Sequence, residues 1–177
     1  MHILKSLLLI TLVFSLTGCS VMKTSSFENG QPVLKPQGFF VGSTKSTGVI
    51  ENRNGRPMKR ITTQTEGTLH NGVLSIEQDL VTENGKPNHR SWQIRTIDAH
   101  HAEATANDIK GTAHGTLYGN VLYWSFILKL KPGNPLMNVR MSQTMYLEPS
   151  GKTMIIRSII RKFGIVVVEI TEQFSKK

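Results

Sequence analysis

The stretch YGNVLYWSFILKL, residues 118–130, constrains the fold more than any other part of the chain. Leu122, Trp124, Phe126, Leu128 and Leu130 recur at every second position, while Ser125 and Lys129 fall between them. A period of two places the apolar set on one face of an extended strand, whereas helical spacing would scatter it. The same alternation appears in Leu74, Ile76 and Leu80, in Val139, Met141, Met145 and Leu147, and in Val166, Val168, Ile170 and Phe174. No stretch carries a long helical stripe. Turn signals recur about every 8 to 14 residues: Asn54-Gly55, Asn71-Gly72, Asn84-Gly85, Lys110-Gly111, Gly119-Asn120, Pro132-Gly133-Asn134-Pro135, Ser150-Gly151 and Gly164. The expectation is an all-β domain over residues 38–177, an antiparallel up-and-down β-barrel of about 8–10 strands. Closure removes the edges that an open sheet of that size would expose. A two-sheet sandwich would need long crossovers for which the spacing leaves no room.

The N-terminal stretch LLLITLVFSLTGCS, residues 7–20, is of another kind. One cation, Lys5, precedes an apolar run from Leu7 to Leu16, about half of the roughly 20 residues that a spanning helix needs. Cation, short apolar core and small exit residues form a secretory signal over residues 1–18. Its end, Leu16-Thr17-Gly18-Cys19, resembles the lipobox of bacterial lipoproteins. The resemblance implies cleavage before Cys19 and acylation of that residue on sulfur and amine, which anchors the protein stably, since several acyl chains hold where one is marginal. Ser20, rather than Asp, after Cys19 implies sorting to the outer membrane, facing the periplasm. Residues 19–37 then read as acylated Cys and flexible tether, because they mix Ser, Thr, Asn, Gly and Pro without periodicity.

Removal of the signal leaves roughly 160 residues, enough for one self-sufficient core. Cys19 is the only cysteine, so no disulfide contributes and stability must come from packing. With Lys+Arg 21 against Asp+Glu 12 the chain carries +9. In the envelope such a balance meets anionic lipid heads or acidic glycans, and no nucleic-acid partner is expected. The domain is expected to be monomeric.

Further residues carry a family resemblance: Phe39-Phe40, Gly42, Gly48, Arg53 and Gly55; then Asn84-Gly85, Arg90, Trp92 and Ile94; then Ala106, Asp108, Gly111, Ala113, Gly115 and Gly119-Asn120; finally Arg157, Lys162-Phe163-Gly164, Glu169 and Phe174. Together they resemble a proteobacterial lipoprotein family labelled as the domain of unknown function numbered 3833. The resemblance implies a lipocalin-like barrel and no established activity. Two departures stand out. The family's acidic position in the third strand is Gln78 here, and its acidic-plus-Trp stretch before the ninth strand reads Ser142-Gln143-Thr144-Met145.

The expected function is that of an outer-membrane-anchored periplasmic lipoprotein that binds a lipid or other amphiphile inside the barrel. Trp92, Trp124, Phe126, Met141, Gln143, Met145 and Arg157 are the candidate ligand-binding residues. The aromatic and methionine side chains supply an adaptable apolar wall. Gln78 and Gln143 are the only inward polar candidates on otherwise apolar faces. Arg157 would either point into a polar spot, paired with Glu169 or Glu172, or emerge at a rim. Basic residues Arg53, Arg56, Lys59 and Arg60 would favour an anionic head near a mouth. A non-catalytic envelope interaction module with a filled core is the alternative, and a hydrolase or isomerase acting on lipid or glycan the third reading. No catalytic residue emerges: the chain holds no G-x-S-x-G elbow, no phosphate-binding glycine loop and no cysteine nucleophile in the mature part. His101 and Glu103 share a face, and with Asp108 or His114 could hold a divalent metal. Zinc sites use closer-knit ligand sets, so no metal and no cofactor is expected.

Overall fold

The computed structural model describes residues 23–177, so the signal segment and Cys19 lie outside the described residues. Ten antiparallel strands follow one another: β1 (Gly42–Asn52), β2 (Pro57–His70), β3 (Val73–Thr82), β4 (Asn88–Thr96), β5 (His101–Ala106), β6 (Ile109–Tyr118), β7 (Val121–Lys129), β8 (Asn138–Leu147), β9 (Thr153–Lys162) and β10 (Ile165–Lys176). Each pairs with its sequence neighbours, and β10 pairs with β1 to close the barrel. The up-and-down barrel expected from the alternation is the architecture found.

Inward positions alternate as the sequence pattern requires. On β7, Leu122, Trp124, Phe126 and Leu128 are buried, and Leu130 lies past the strand end at 53% exposure. The outer wall carries Lys45, Gln64, Glu66, Arg95 and Glu103, all exposed. That is a surface made for water rather than for lipid tails.

The meander gathers alternate connections at opposite ends. The β2–β3, β4–β5, β6–β7 and β8–β9 connections share one end with the start of β1; the other five hairpins form the mouth. A short helix, α1 (Pro36–Phe40), closes the first end with Phe39 and Phe40, while Leu34 is buried beside it. Phe40 meets Phe174 edge-on, with ring centroids 6.2 Å apart. Gly67 makes this cap possible: a Cβ there would stand 1.8 Å from the Phe40 carbonyl oxygen.

The chain joins the barrel earlier than the tether reading of residues 19–37 allows. A 3₁₀ turn at Thr24–Phe27 lies against the wall, where Phe27 meets Tyr146 edge-on with centroids 6.0 Å apart. The Thr24 and Thr116 hydroxyls are 3.1 Å apart, and the Leu34 N–H donates to the Gly119 carbonyl at 2.8 Å. These contacts form one residue at a time along an irregular strap, so no periodicity announces them. The strand domain read as 38–177 thus carries a docked N-terminal strap from residue 24.

Gly67→Ala should lower stability by about 1–3 kcal/mol, because the new methyl group meets backbone that cannot swing aside. Gln64→Ala, exposed on the same strand, should change it by less than about 0.5 kcal/mol. Thermal unfolding of the two variants checks this; equal melting temperatures would show that the cap does not rest on that close approach.

Candidate binding site in the barrel interior

Two tryptophans divide the interior. Trp92 on β4 and Trp124 on β7 stack with centroids 5.3 Å apart and planes 11° from parallel, and Phe126 meets both edge-on. A buried indole needs an acceptor for its N–H, and each finds a glutamine: Trp92 Nε1 donates to Gln78 Oε1, and Trp124 Nε1 to Gln143 Oε1, both at 2.9 Å. Gln143 in turn donates to Ser158 Oγ at 2.9 Å. Gln78 and Gln143 therefore serve as acceptors for the indoles.

Beside the stack lies a cavity of about 110 Å³. Its wall includes Leu80, Leu128, Met141, Met145, Ile160 and Ile170, and Phe40 and Phe174 line its capped end. An apolar cavity of about 150 Å³ holds a benzene ring, so this one admits the end of a slender apolar group rather than a whole lipid. Trp92, Trp124, Met141, Gln143 and Met145 all line it. Phe126 is buried and packs behind the indoles without lining the cavity.

The interior is more polar than Gln78 and Gln143 alone, and the added groups are strand residues that sequence reasoning missed. Glu172 on β10 lines the cavity and is 7% exposed. Its Oε1 accepts from Ser46 Oγ on β1 at 2.7 Å and from Thr63 Oγ1 on β2 at 2.8 Å. Gly48 leaves the room for that side chain, since a Cβ there would come within 2.7 Å of Glu172 Cγ. Thr44 and Thr65, opposite each other on β1 and β2, are buried with hydroxyls that have no partner among the described residues. Toward the mouth, Arg90 donates from Nε and a terminal nitrogen to Asp108 Oδ2 at 2.8 and 2.7 Å, with its guanidinium 5.6 Å from the Trp92 ring centroid. The signal for these groups was a lone polar residue at an inward register position between apolar ones, as with Glu172 between Ile170 and Phe174.

Arg157 is a correction. It projects from the outer wall, about half exposed, and pairs with Glu169 Oε2 at 2.6 Å. On β9 the neighbours Ile156 and Ser158 point inward, so Arg157 shares the outer face with Ile155 and Ile159 and touches no ligand space.

The histidines do not converge either. His101 pairs with Asp98 at 2.8 Å, Glu103 with His114 at 3.4 Å, and Asp108 is held by Arg90. Among the described residues no three His, Cys, Asp or Glu side chains come together to hold a metal. The backbone N–H of His100, together with His101, holds Asp98 below the usual carboxylate range. On the outer face His89 lies between Asp79 and Glu77, each at 2.8 Å, and hydrogen bonds to them hold its pKa above the ordinary imidazole value.

Fold and site together define a lipocalin-like ten-stranded barrel with a capped end, an open mouth and a partly filled interior. The chain belongs to the family described as Protein of unknown function (DUF3833), which matches residues 13–176. No curated protein matches it. Among solved structures it is similar to an S-type phycobiliprotein lyase from Guillardia theta, at TM-score 0.57 and 8% identity over 77% of this chain and 88% of that one. It is also similar to a protein of unknown function from the DUF3598 family of Nostoc punctiforme, at TM-score 0.58 and 13% identity over 83% of this chain and 51% of that one. At such identities the likeness shows the fold alone.

Glu172→Ala should destabilise the protein by about 1–3 kcal/mol per hydroxyl donor left without an acceptor inside the barrel. Adding Ser46→Ala and Thr63→Val should recover part of that loss, because the unsatisfied donors are then gone. Chemical denaturation of the single and triple variants measures both. A triple variant no more stable than the single one would show that Glu172 contributes packing volume alone.

Proposed function

We propose that this protein is a lipid-anchored barrel of the bacterial outer membrane, facing the periplasm, that takes the apolar end of an amphiphile through its mouth. The observation that carries the reading is the cavity between the Trp92–Trp124 stack and the closure seam, lined by Met141, Met145, Leu128 and Ile160. An acyl tail suits that wall better than a sugar, whose hydroxyls would need free partners. The hydroxyls of Ser46 and Thr63, both indole N–H groups and Arg90 already have acceptors. The donors left along the wall are the Gln78 amide and the remaining N–H groups of Arg90, which stand opposite each other toward the mouth, so an anionic head stays at that end, where Arg53, Arg56, Lys59 and Arg60 are also exposed. A tail-in orientation follows.

The anchor rests on Leu16-Thr17-Gly18-Cys19. One observation favours the second reading, a filled-core interaction module: the cavity, about 110 Å³, lies well below the roughly 300 Å³ at which pockets for drug-sized ligands begin.

Two experiments test these statements. Fatty acids of increasing length, titrated into the purified protein while tryptophan emission is followed, should bind about fourfold more tightly per methylene until the cavity is full, and then level off. Mass spectrometry of an organic extract should find the resident amphiphile. Unchanged emission at every length together with a clean extract would leave the filled-core module as the better account. For the anchor, Cys19→Ala should abolish labelling by a fatty-acid probe, and labelling that survives would count against it.

A further inference from the structure

The β9–β10 hairpin is built against its own backbone preference. Phe163 sits at φ +49° and Gly164 at φ +83°, the left-handed pair of a two-residue hairpin turn. The β2–β3 hairpin makes the same turn with Asn71 at +48° and Gly72 at +76°. Asn tolerates that region because its short polar side chain bonds locally, while a bulky residue there is an outlier. Here the outlier holds a phenylalanine ring 88% exposed at the tip. Strain of this kind persists only where the surrounding structure over-determines it, and it clusters at functional sites.

The surroundings show a second conflict. Arg140 on β8 stands directly opposite Arg161 on β9, both on the outer face, and like charges in that register repel. No Asp or Glu among the described residues pairs with either. Lys162 reaches across to donate to the carbonyls of Leu136 and of Asn138, the latter at 2.7 Å. Its ammonium lies 4.9 Å from the Phe163 ring centroid. These bonds tie the β7–β8 connection to the hairpin, so Leu136, 79% exposed, and Phe163 border one groove of about 350 Å³ with Arg140 and Arg161.

We propose that this outer rim of the mouth docks on an anionic phospholipid bilayer, with Phe163 and Leu136 entering the interface and Arg140, Arg161 and Lys162 meeting the head groups. A free phosphate would answer the arginines and leave the ring in water. A bilayer answers both, because its interface takes aromatic and leucine side chains and its anionic heads attract nearby cations. The proposal is independent of what the barrel interior holds.

The experiment uses residues 23–177, which contain the closed ladder and the whole core, and measures co-flotation with vesicles. The protein should partition into vesicles of phosphatidylcholine with phosphatidylglycerol and not into phosphatidylcholine alone, more weakly as salt rises. Arg140→Gln with Arg161→Gln should lower partition about fivefold per cation removed. Phe163→Asn restores the residue that the turn prefers, so it should keep or raise the melting temperature while lowering partition about tenfold. A merely structural phenylalanine would not separate the two readouts. Equal partition into neutral vesicles, no partition into either, or unchanged partition of both variants would overturn the proposal.

Discussion

Closure is the constraint on which everything else in this structure depends. Until β10 finds β1, two long strands present open edges, and the interior that the other eight strands line is a trough rather than a chamber. The seam joins the last strand to the first across most of the sequence, so its loop entropy must be offset by contacts made only when it shuts. The paired ladder supplies nine register partners from Thr44↔Lys176 to Asn52↔Val168. Glu172 adds a bolt on the inside, accepting at once from β1 through Ser46 and from β2 through Thr63. A buried carboxyl group that bonds only hydroxyls is an expensive choice for a wall position, and it is unambiguous about register. A slip by one residue would turn Glu172 outward and bring its neighbours to face the core.

The rest of the interior follows from how that seam and the opposite wall share the space. Trp92 and Trp124 belong to β4 and β7, far around the barrel from β10, and their stack fills that side. Their N–H groups fix Gln78 and Gln143 in place, and Gln143 passes the constraint on to Ser158 of β9. Between this rigid block and the seam remains the cavity, lined by methionines and branched aliphatics that can shift. At the capped end the Phe40 backbone presses onto Gly67 and its ring onto Phe174. Whatever enters must therefore come from the mouth.

How much of this the sequence made legible depends on where period two is unambiguous. On β7 Tyr123, Ser125 and Lys129 mark the outer face between the large apolar residues, and Trp124, Phe126 and Leu128 were assigned to the interior from spacing alone. On β9 the run Met154-Ile155-Ile156-Arg157-Ser158-Ile159-Ile160 is apolar on both faces. Counting from the isoleucines on the wrong face made Arg157 a site candidate, when in fact it pairs with Glu169 outside. Glu172, Arg90, Ser46 and Thr63 were illegible for the opposite reason. A polar residue at an inward position reads as noise in an apolar pattern until its partners, more than a hundred residues away for Ser46 and Thr63, are seen to stand beside it. The strap from Thr24 to Leu34 failed for want of any period at all.

The two ends of the barrel are unlike in a way that bears on orientation. The described chain begins at the wall beside Thr116, close to where β6 ends under the cap. The stretch from Cys19 to Lys23 can span at most about 14 Å. Acylation at Cys19 would therefore hold the capped end toward its own membrane and leave the mouth, with Phe163, Leu136 and the facing arginines, turned away. Like charges held face to face and exposed apolar side chains are costly to keep on a surface that meets only water. With such an anchor, the rim would be placed to meet something other than the bilayer that held the chain. A tail-in ligand would present its head at that same rim, so the surface that docks and the opening that loads would be one structure.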